Sequence, residues 1–447
     1  MNRVSDRRMR EDVEALFTSS RPSGAPDLIG VEIELIPITR GPDPRPVRLF
    51  ESTHGIPSLV DLLRDWARSS GQIREERRGP RDVRFHTDEG GRITFEPGGQ
   101  LEFSSAPRPS AAAVLADLLR ILDPLCEAAE ARGIRLLGRG LNPWHDVDDV
   151  DLQLDSPRYL AMNTYLRRSG LNGVRMMRLT AAMQINLDFG TPAQALRRWH
   201  AANLLSPVIR ASFANSWLWL RPGVGAVSGR SVIWERTDAS RTGVLVSAEP
   251  DTRQSPAREY LHFALAAKVM IRRNEEGATS PAEANLRFDD WWRGGALPPP
   301  GASDWETHLT TLFPDVRPRG WLELRAIDAP RRAWWAVPLT VLPAVLLDDG
   351  ALDRVLEILE PLSPRIDDLA SRAGVEGLTV ESVGNAAEQV FLEAIESAHR
   401  APEGYFSPQM LSTTEEFVRC YITRRRTQAD EERAISEFGE RPALQGI

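Results

Sequence analysis

The run Thr94-Phe95-Glu96-Pro97-Gly98-Gly99-Gln100-Leu101-Glu102-Phe103-Ser104 decides how the chain is read. Ile93 and Phe95 alternate with Arg92, Thr94 and Glu96; beyond the interruption, Leu101 and Phe103 alternate with Gln100, Glu102 and Ser104. Alternation with period two marks a half-buried strand, with polar residues leaving one sheet face and apolar residues the other. Proline has no N–H for a ladder and glycine packs nothing. Pro97-Gly98-Gly99 therefore predicts a bulge, or a point where a ligand approaches the backbone closely. Alone, the pattern also fits an ordinary strand with a solvated polar face. Its recurrence gives it weight.

Within Leu28–Pro37, Val31, Ile33 and Leu35 alternate with Glu32 and Glu34. In Met176–Phe189 the last part aligns Gln184, Asn186 and Asp188, and Trp321–Asp328 puts Glu323 and Arg325 on one face. Val83–Ser105 reads as a hairpin turning at Asp88-Glu89-Gly90-Gly91. Helical spacing covers Val4–Ser19, Pro57–Ser70, Ser110–Arg132, Ser156–Ser169, Pro192–Leu220, Arg258–Val269 and the chain from Arg332 onward. Ser231–Trp234 reads as a short strand, Ser19–Pro26 as a linker, and Arg221–Gly229 and the proline-rich Leu297–Asp304 as loops. Strands joined by helices, with hairpins among them, predict an α+β fold built on a mostly antiparallel or mixed sheet.

With 447 residues, 42% of them hydrophobic, the chain can bury a large core in one or two domains. A net charge of -8 argues against a general nucleic-acid or anionic-membrane binder. Lys268 is the only lysine, so an anionic substrate must be held by arginine forks, backbone amides or metal. Cys126 and Cys420 stand far apart without a CxxC, which predicts neither a disulfide framework nor a zinc site and points to the cytoplasm. The charged N-terminus lacks the apolar core of a signal peptide, and no apolar run reaches transmembrane length.

If the polar faces of these strands turn toward each other, they form a basin of carboxylates, which is unfavourable unless cations neutralise it. Oxygen-only ligands select hard cations, here Mg²⁺ or Mn²⁺. Such a basin with arginines nearby suits phosphoryl transfer. No Walker A motif, GxGxxG, kinase catalytic loop, Ser/His/Asp or Cys/His pattern is present. The acidic run Asp146, Asp148, Asp149 and Asp151 reads mainly as a solvated loop. His86 and His308 read as hydrogen-bonding structural residues before general bases, and Met176, Met177 and Met183 as core.

Gly30–Glu34, Glu96–Glu102, Met176–Thr180 and Gln184–Asp188 resemble motifs of the glutamate–cysteine ligases shared by plants and many bacteria. The resemblance continues through Phe213–Ser216, Gly229–Trp234 with Thr237-Asp238, Arg241-Thr242-Gly243, Trp305–Pro314 and Leu322–Arg325, in order over residues 28 to 340. The arginine-rich composition and Asp-rich loop resemble the actinobacterial subgroup associated with ergothioneine biosynthesis.

The resemblance implies a curved antiparallel sheet like that of glutamine synthetase and the guanidino kinases, forming a funnel covered by helices. It implies an N-terminal helix and linker (1–26), a catalytic domain (27–340) and a C-terminal helical region (341–447) packed on that domain. It implies ATP-dependent ligation of L-glutamate to L-cysteine through γ-glutamyl phosphate in a monomer or weak homodimer, without nucleic acid or membrane. Carried over by position, Glu32, Glu34, Glu96, Glu102 and Glu323 become ligands of Mg²⁺, with Mn²⁺ as substitute. Gln100, Arg178, Gln184, Asn186, Arg230 and Trp234 become substrate-binding residues. Arg325 and Glu96 become catalytic residues, with Arg325 and Arg241 contacting ATP. Three alternatives stay open: a ligase with a different amine acceptor, a guanidino-kinase-like phosphotransferase, and a binding protein that only keeps the fold. The cysteine pocket carries no motif.

Overall fold

The alternating stretches become strands of one nine-stranded sheet in a computed structural model that describes residues 3–18, 24–221, 224–246, 255–273, 277–294 and 297–436. The strands are β1 (Ile29–Thr39), β2 (Ile73–Arg77), β3 (Val83–Thr87), β4 (Arg92–Phe95), β5 (Leu101–Ser104), β6 (Ile134–Leu137), β7 (Ala182–Leu187), β8 (Val316–Pro318) and β9 (Leu322–Asp328). Their order is β8-β9-β7-β1-β5-β4-β3-β2, and every pairing is antiparallel. The long β1 is the spine. Its first half lies between β5 and β7, and its second half pairs with β6.

One face is apolar. Val31, Ile33, Leu35, Leu101, Phe103, Met183, Ile185, Leu322 and Leu324 are all buried in a single cluster. Ile33 sits in register between Phe103 and Met183. Helices cover this face. Ser110 caps Ala111–Ala131 by accepting a hydrogen bond from the Ala113 N–H. The helix Ala336–Leu346 is buried on every side, and its one polar side chain, Thr340, donates to the Ala336 carbonyl. A helix without a polar face belongs inside the fold, and this one packs against β7 and the helices Glu381–Arg400 and Pro408–Phe417. It runs across position 340, and the apolar cluster extends from Val4 to Ile422, so sheet and C-terminal helices share one core.

Three local expectations are corrected. Ser231–Trp234 is not a strand but part of the helix Gly229–Glu235, capped by Ser228, whose Oγ accepts from the Ser231 N–H at 3.1 Å. Four residues cannot establish a period, and the cap outweighs the β-branched side chains. The helical stretch Pro192–Leu220 stops at Ser212, because Asn215 and Ser216 turn to bond Asp328 and nearby carbonyls. Leu218–Arg221 is then a strand paired with Val224–Ala226. The loop read over Leu297–Asp304 ends in the helix Ala302–Leu309, started by the Asp304 carboxylate accepting from the Gly301 N–H at 2.9 Å. Positions 19–23 of the linker, 222–223 of the glycine-rich loop, 295–296 and everything after 436 lie outside the described residues.

Among the described residues, no single helix is long and apolar enough to cross a membrane. Cys126 and Cys420 are both free thiols, and burial pushes the Cys126 thiol up to about 12. Since Ile33 lies near the middle of the spine and is fully buried, Ile33→Ala is expected to cost about 2–5 kcal/mol, read as a lower urea midpoint.

Candidate active site

Register brings the carboxylates together. Glu34 on β1 stands directly opposite Glu102 on β5, and Glu102 stands opposite Thr94 on β4. Glu96 is not on a strand. It follows the last residue of β4 and opens the turn that leads into β5, where the Glu96 N–H donates to the Gln100 carbonyl and the Gly99 N–H to the Glu96 carbonyl. The turn admits no side chain. A Cβ on Gly98 would lie 2.0 Å from the Arg178 carbonyl oxygen, and Gly99 has φ +89°. The close approach predicted at Pro97-Gly98-Gly99 is thus made by the chain's own backbone.

One oxygen each from Glu34, Glu96 and Glu102 lie within 4.8 Å of one another, the one such cluster among the described residues. Glu102 accepts a 2.6 Å bond from the Thr94 hydroxyl, and Glu34 accepts one of 2.7 Å from the Ala182 N–H. Burial first, then the Glu102 charge, raises Glu34 to about 7. The same causes put Glu96 well above the ordinary carboxylate range. Glu32, one pleat along β1, is raised to about 8 by burial, Glu102 and Glu323. These shifts mark carboxylates crowded without enough positive charge.

Glu323 behaves in the opposite way. Burial would raise it, but Arg317 and Arg325 overcome that and, with Arg319, hold it down to about 2. Arg317 Nε lies 2.6 Å, Arg325 Nη1 3.0 Å and Arg319 Nη1 3.4 Å from its oxygens. Glu323 is therefore the counterion of three arginines here and does not join the carboxylate cluster. Arg325 Nη1 also donates to Gln184 Oε1 at 2.6 Å, while Gln184 and Asn186 donate at 3.4 Å to Glu34 and Glu32.

Arg230 and Trp234 come from the helix Gly229–Glu235. Arg230 donates to the Arg325 carbonyl at 2.8 Å, and its guanidinium stands 5.4 Å from the Trp234 ring centroid, with that of Arg325 at 5.9 Å. Arg230 Nε and Trp234 Nε1 are buried without hydrogen-bond partners, and both residues line a cavity of about 20 Å³ together with Arg325. On the other side, a cleft of about 720 Å³ opens onto Thr94, Glu96 and Glu102, walled by residues 79–84, Arg92, Leu154–Ser156 and Tyr159. That size suits a nucleotide-sized ligand.

Several residues singled out in the sequence sit elsewhere. Arg241 is buried against Asp238 and the carbonyls of Thr311 and Lys268, where it braces a turn. Arg178 spends its guanidinium on Asn163 and the carbonyls of Val147 and Val150. Gln100 donates to the Thr180 carbonyl, leaving Oε1 buried and unpartnered. Asp188 accepts from the Leu28 N–H at the end of the sheet. His308, pushed down to about 3 by burial, bonds the Ala264 carbonyl, and His86 bonds Glu76. In the acidic loop, Asp146 holds Arg175 and Asp151 pairs with Arg48.

Sequence reading missed Thr94, Arg317, Arg319, Asp328 and Tyr159. Arg317 was within reach, since Val316-Arg317-Pro318-Arg319-Gly320 before a strand reads as a hairpin that sets arginine opposite Glu323. Asp328 accepts from the Asn215 N–H and the hydroxyls of Ser216 and Ser228, tying the Arg230 helix to β9. Tyr159 lies near Glu96, and burial with that charge raises its phenol.

The model of glutamate–cysteine ligase family 2 matches residues 28–401. The chain is 31% identical over 340 residues to the chloroplastic glutamate–cysteine ligase of Nicotiana tabacum, covering 74% of this chain and 64% of that one. It is 31% identical over 363 residues to glutamate–cysteine ligase EgtA of Mycolicibacterium smegmatis, covering 80% and 79%. The match thus spans less than two thirds of the tobacco relative's length. A glutamate–cysteine ligase of Francisella tularensis, solved in complex with AMP, has a similar fold, with a TM-score of 0.52 at 12% identity over 93% of this chain and 86% of that one. Since that family model spans most of the chain, the chain belongs to glutamate–cysteine ligase family 2.

Proposed function

We propose that the protein joins the γ-carboxylate of L-glutamate to the amine of L-cysteine at the expense of ATP, in the cytoplasm. The observation that carries this reading is the cluster of half-buried Glu34, Glu96 and Glu102 beside the arginine-bound Glu323. Likeness to the mycobacterial EgtA proteins supports the actinobacterial subgroup.

The donor set fits Mg²⁺ or Mn²⁺, because it offers only carboxylate oxygens whose mutual repulsion a dication would relieve. A bound dication supplies charge screening between phosphate oxygens and an incoming carboxylate. Glu34, Glu96 and Glu102 would hold it, with Glu32 next to them. Arg325, fixed by Gln184 and Glu323, presents a charge that does not titrate toward the transferring phosphoryl group. The unpartnered N–H groups of Arg230 and Trp234 offer donors for the α-carboxylate of glutamate once their small cavity widens. The cleft beside Glu96 and Glu102 then receives the nucleotide.

A carboxylate is a poor acyl donor. Attack of its γ-oxygen on the γ-phosphorus breaks the bond to ADP and leaves an acyl phosphate. The cysteine nitrogen then bonds to the acyl carbon, loses a proton and expels phosphate. Holding the reactants in line is the part the protein contributes.

Protein incubated with glutamate, ATP and Mg²⁺ is expected to release ADP fastest with cysteine among the amino acids, and mass spectrometry should find γ-glutamylcysteine. Equal ADP release with every amine would overturn the acceptor. Glu102→Gln is expected to lower turnover about 100-fold or more with an unchanged circular dichroism spectrum. Because Glu34 and Glu32 are raised to about 7 and 8, a cation must displace their protons. Mn²⁺ affinity should therefore climb between pH 6 and pH 8 with proton release, and a flat profile would count against the site. In the cation-free protein the folded state binds the extra protons, so its stability should fall as pH rises from about 4.5 to about 8.

A further inference from the structure

We infer that Gln153 is a positioning residue for the cation site, setting Glu96 in place by gripping the turn that follows it. This rests on the cation-binding reading above and deepens it. Gln153 comes from the Asp-rich loop, 55 residues along the chain from Gly98, and none of the motif residues points to it.

Its grip is threefold. The Gln153 N–H donates to the Pro97 carbonyl at 2.8 Å, and its Nε2 donates to the Gly98 carbonyl at 2.8 Å. Its Oε1 accepts from the Leu49 N–H. An amide side chain carries a donor and an acceptor side by side and can give and take in this way, and Gln153 is buried. The turn is formed to receive it. A Cβ on Gly99 would lie 2.4 Å from Gln153 Nε2, and one on Gly98 would strike the Arg178 carbonyl. The turn is thus clamped between Gln153 on one side and the Arg178 backbone on the other.

The clamp is anchored in turn. The Arg178 guanidinium holds the loop by the carbonyls of Val147 and Val150, and Arg48 holds it by Asp151. Arg178 therefore works on the site from both ends, through its carbonyl at Gly98 and through its side chain on the loop that presents Gln153. Glu96 has no strand of its own to fix it, unlike Glu34 and Glu102, so its position depends on this turn. Partners that orient a metal ligand are typically worth about 10–100-fold in metal affinity.

Reciprocity supplies the test. If the loop restrains the turn, a cation held by Glu96 must in turn steady the loop. Hydrogen exchange on the unaltered protein, with and without Mn²⁺, is expected to show slower exchange at the amides of Gly99–Gln100 and of Gln153 together. Slower exchange at the turn alone would overturn the assignment. Gln153→Met and Gln153→Glu both lose the donor to Gly98. Electron paramagnetic resonance titration of the folded variants should show Mn²⁺ bound about 10–100-fold more weakly, with KM for glutamate within about twofold of the parent, since Arg230 and Trp234 lie on another element. Variants that are less heat-stable yet bind Mn²⁺ as the parent does would make Gln153 a purely structural residue and defeat the proposal. If the parent itself binds no Mn²⁺, the cation site falls first and Gln153 falls with it.

Discussion

Two carboxylates placed directly across a pair of antiparallel strands are the constraint on which this structure turns. Glu34 and Glu102 occupy opposing positions in register, and Glu96 is folded back upon them. Like charges opposite each other weaken a sheet. At separations up to 4.8 Å and an effective dielectric of about 20, each ionised pair costs roughly 3 kcal/mol. Three such pairs would approach the whole stability of an ordinary domain. The fold survives because protons share the site, as the raised carboxylates show, and because the apolar side of the same strands is packed without interruption.

That packing explains the division of labour between the faces. The β1 residues that bury against helices and those that carry charge differ by one position, so the core fixes where the carboxylates emerge. The helix Ala336–Leu346, apolar all round, locks the back of the sheet. Asp328 does the equivalent on the polar side, joining the segments that bring Arg230 and Arg325 within reach of one ring. Neither the helix nor Asp328 need touch a substrate for the site to depend on it.

Much of this was legible in the chain. Alternation alone located β1, β4, β5, β7 and β9, and with them Glu32, Glu34, Glu102, Gln184, Asn186, Glu323 and Arg325, because strand period and side-chain direction are the same fact. What alternation cannot give is pairing. It showed Glu323 as one more acidic residue, whereas its partners Arg317, from the neighbouring strand, and Arg319, from the turn between, make it a counterion. Arg241 follows Asp238 in the chain, a spacing that suits a turn, and it lies against Asp238 and two carbonyls, whereas Arg325 shares a strand face with Glu323. Ser231–Trp234 was too short for period to decide, and Gln153 had no pattern at all, since its role lies in a contact made across 55 residues.

The knot of Arg317, Arg319 and Arg325 around Glu323 has a consequence for how the pocket responds to its surroundings. Guanidinium groups stay charged at any acidity a folded protein tolerates, and Glu323, held so low, stays ionised too. That half of the pocket is electrically invariant. The other half contains Glu32 and Glu34, which gain and lose protons close to neutrality, beside Glu96, which burial and the Glu102 charge hold well above the ordinary carboxylate range. One side acts as a fixed reference pole and the other as an adjustable one, so changes in acidity alter the field across the pocket from a single direction.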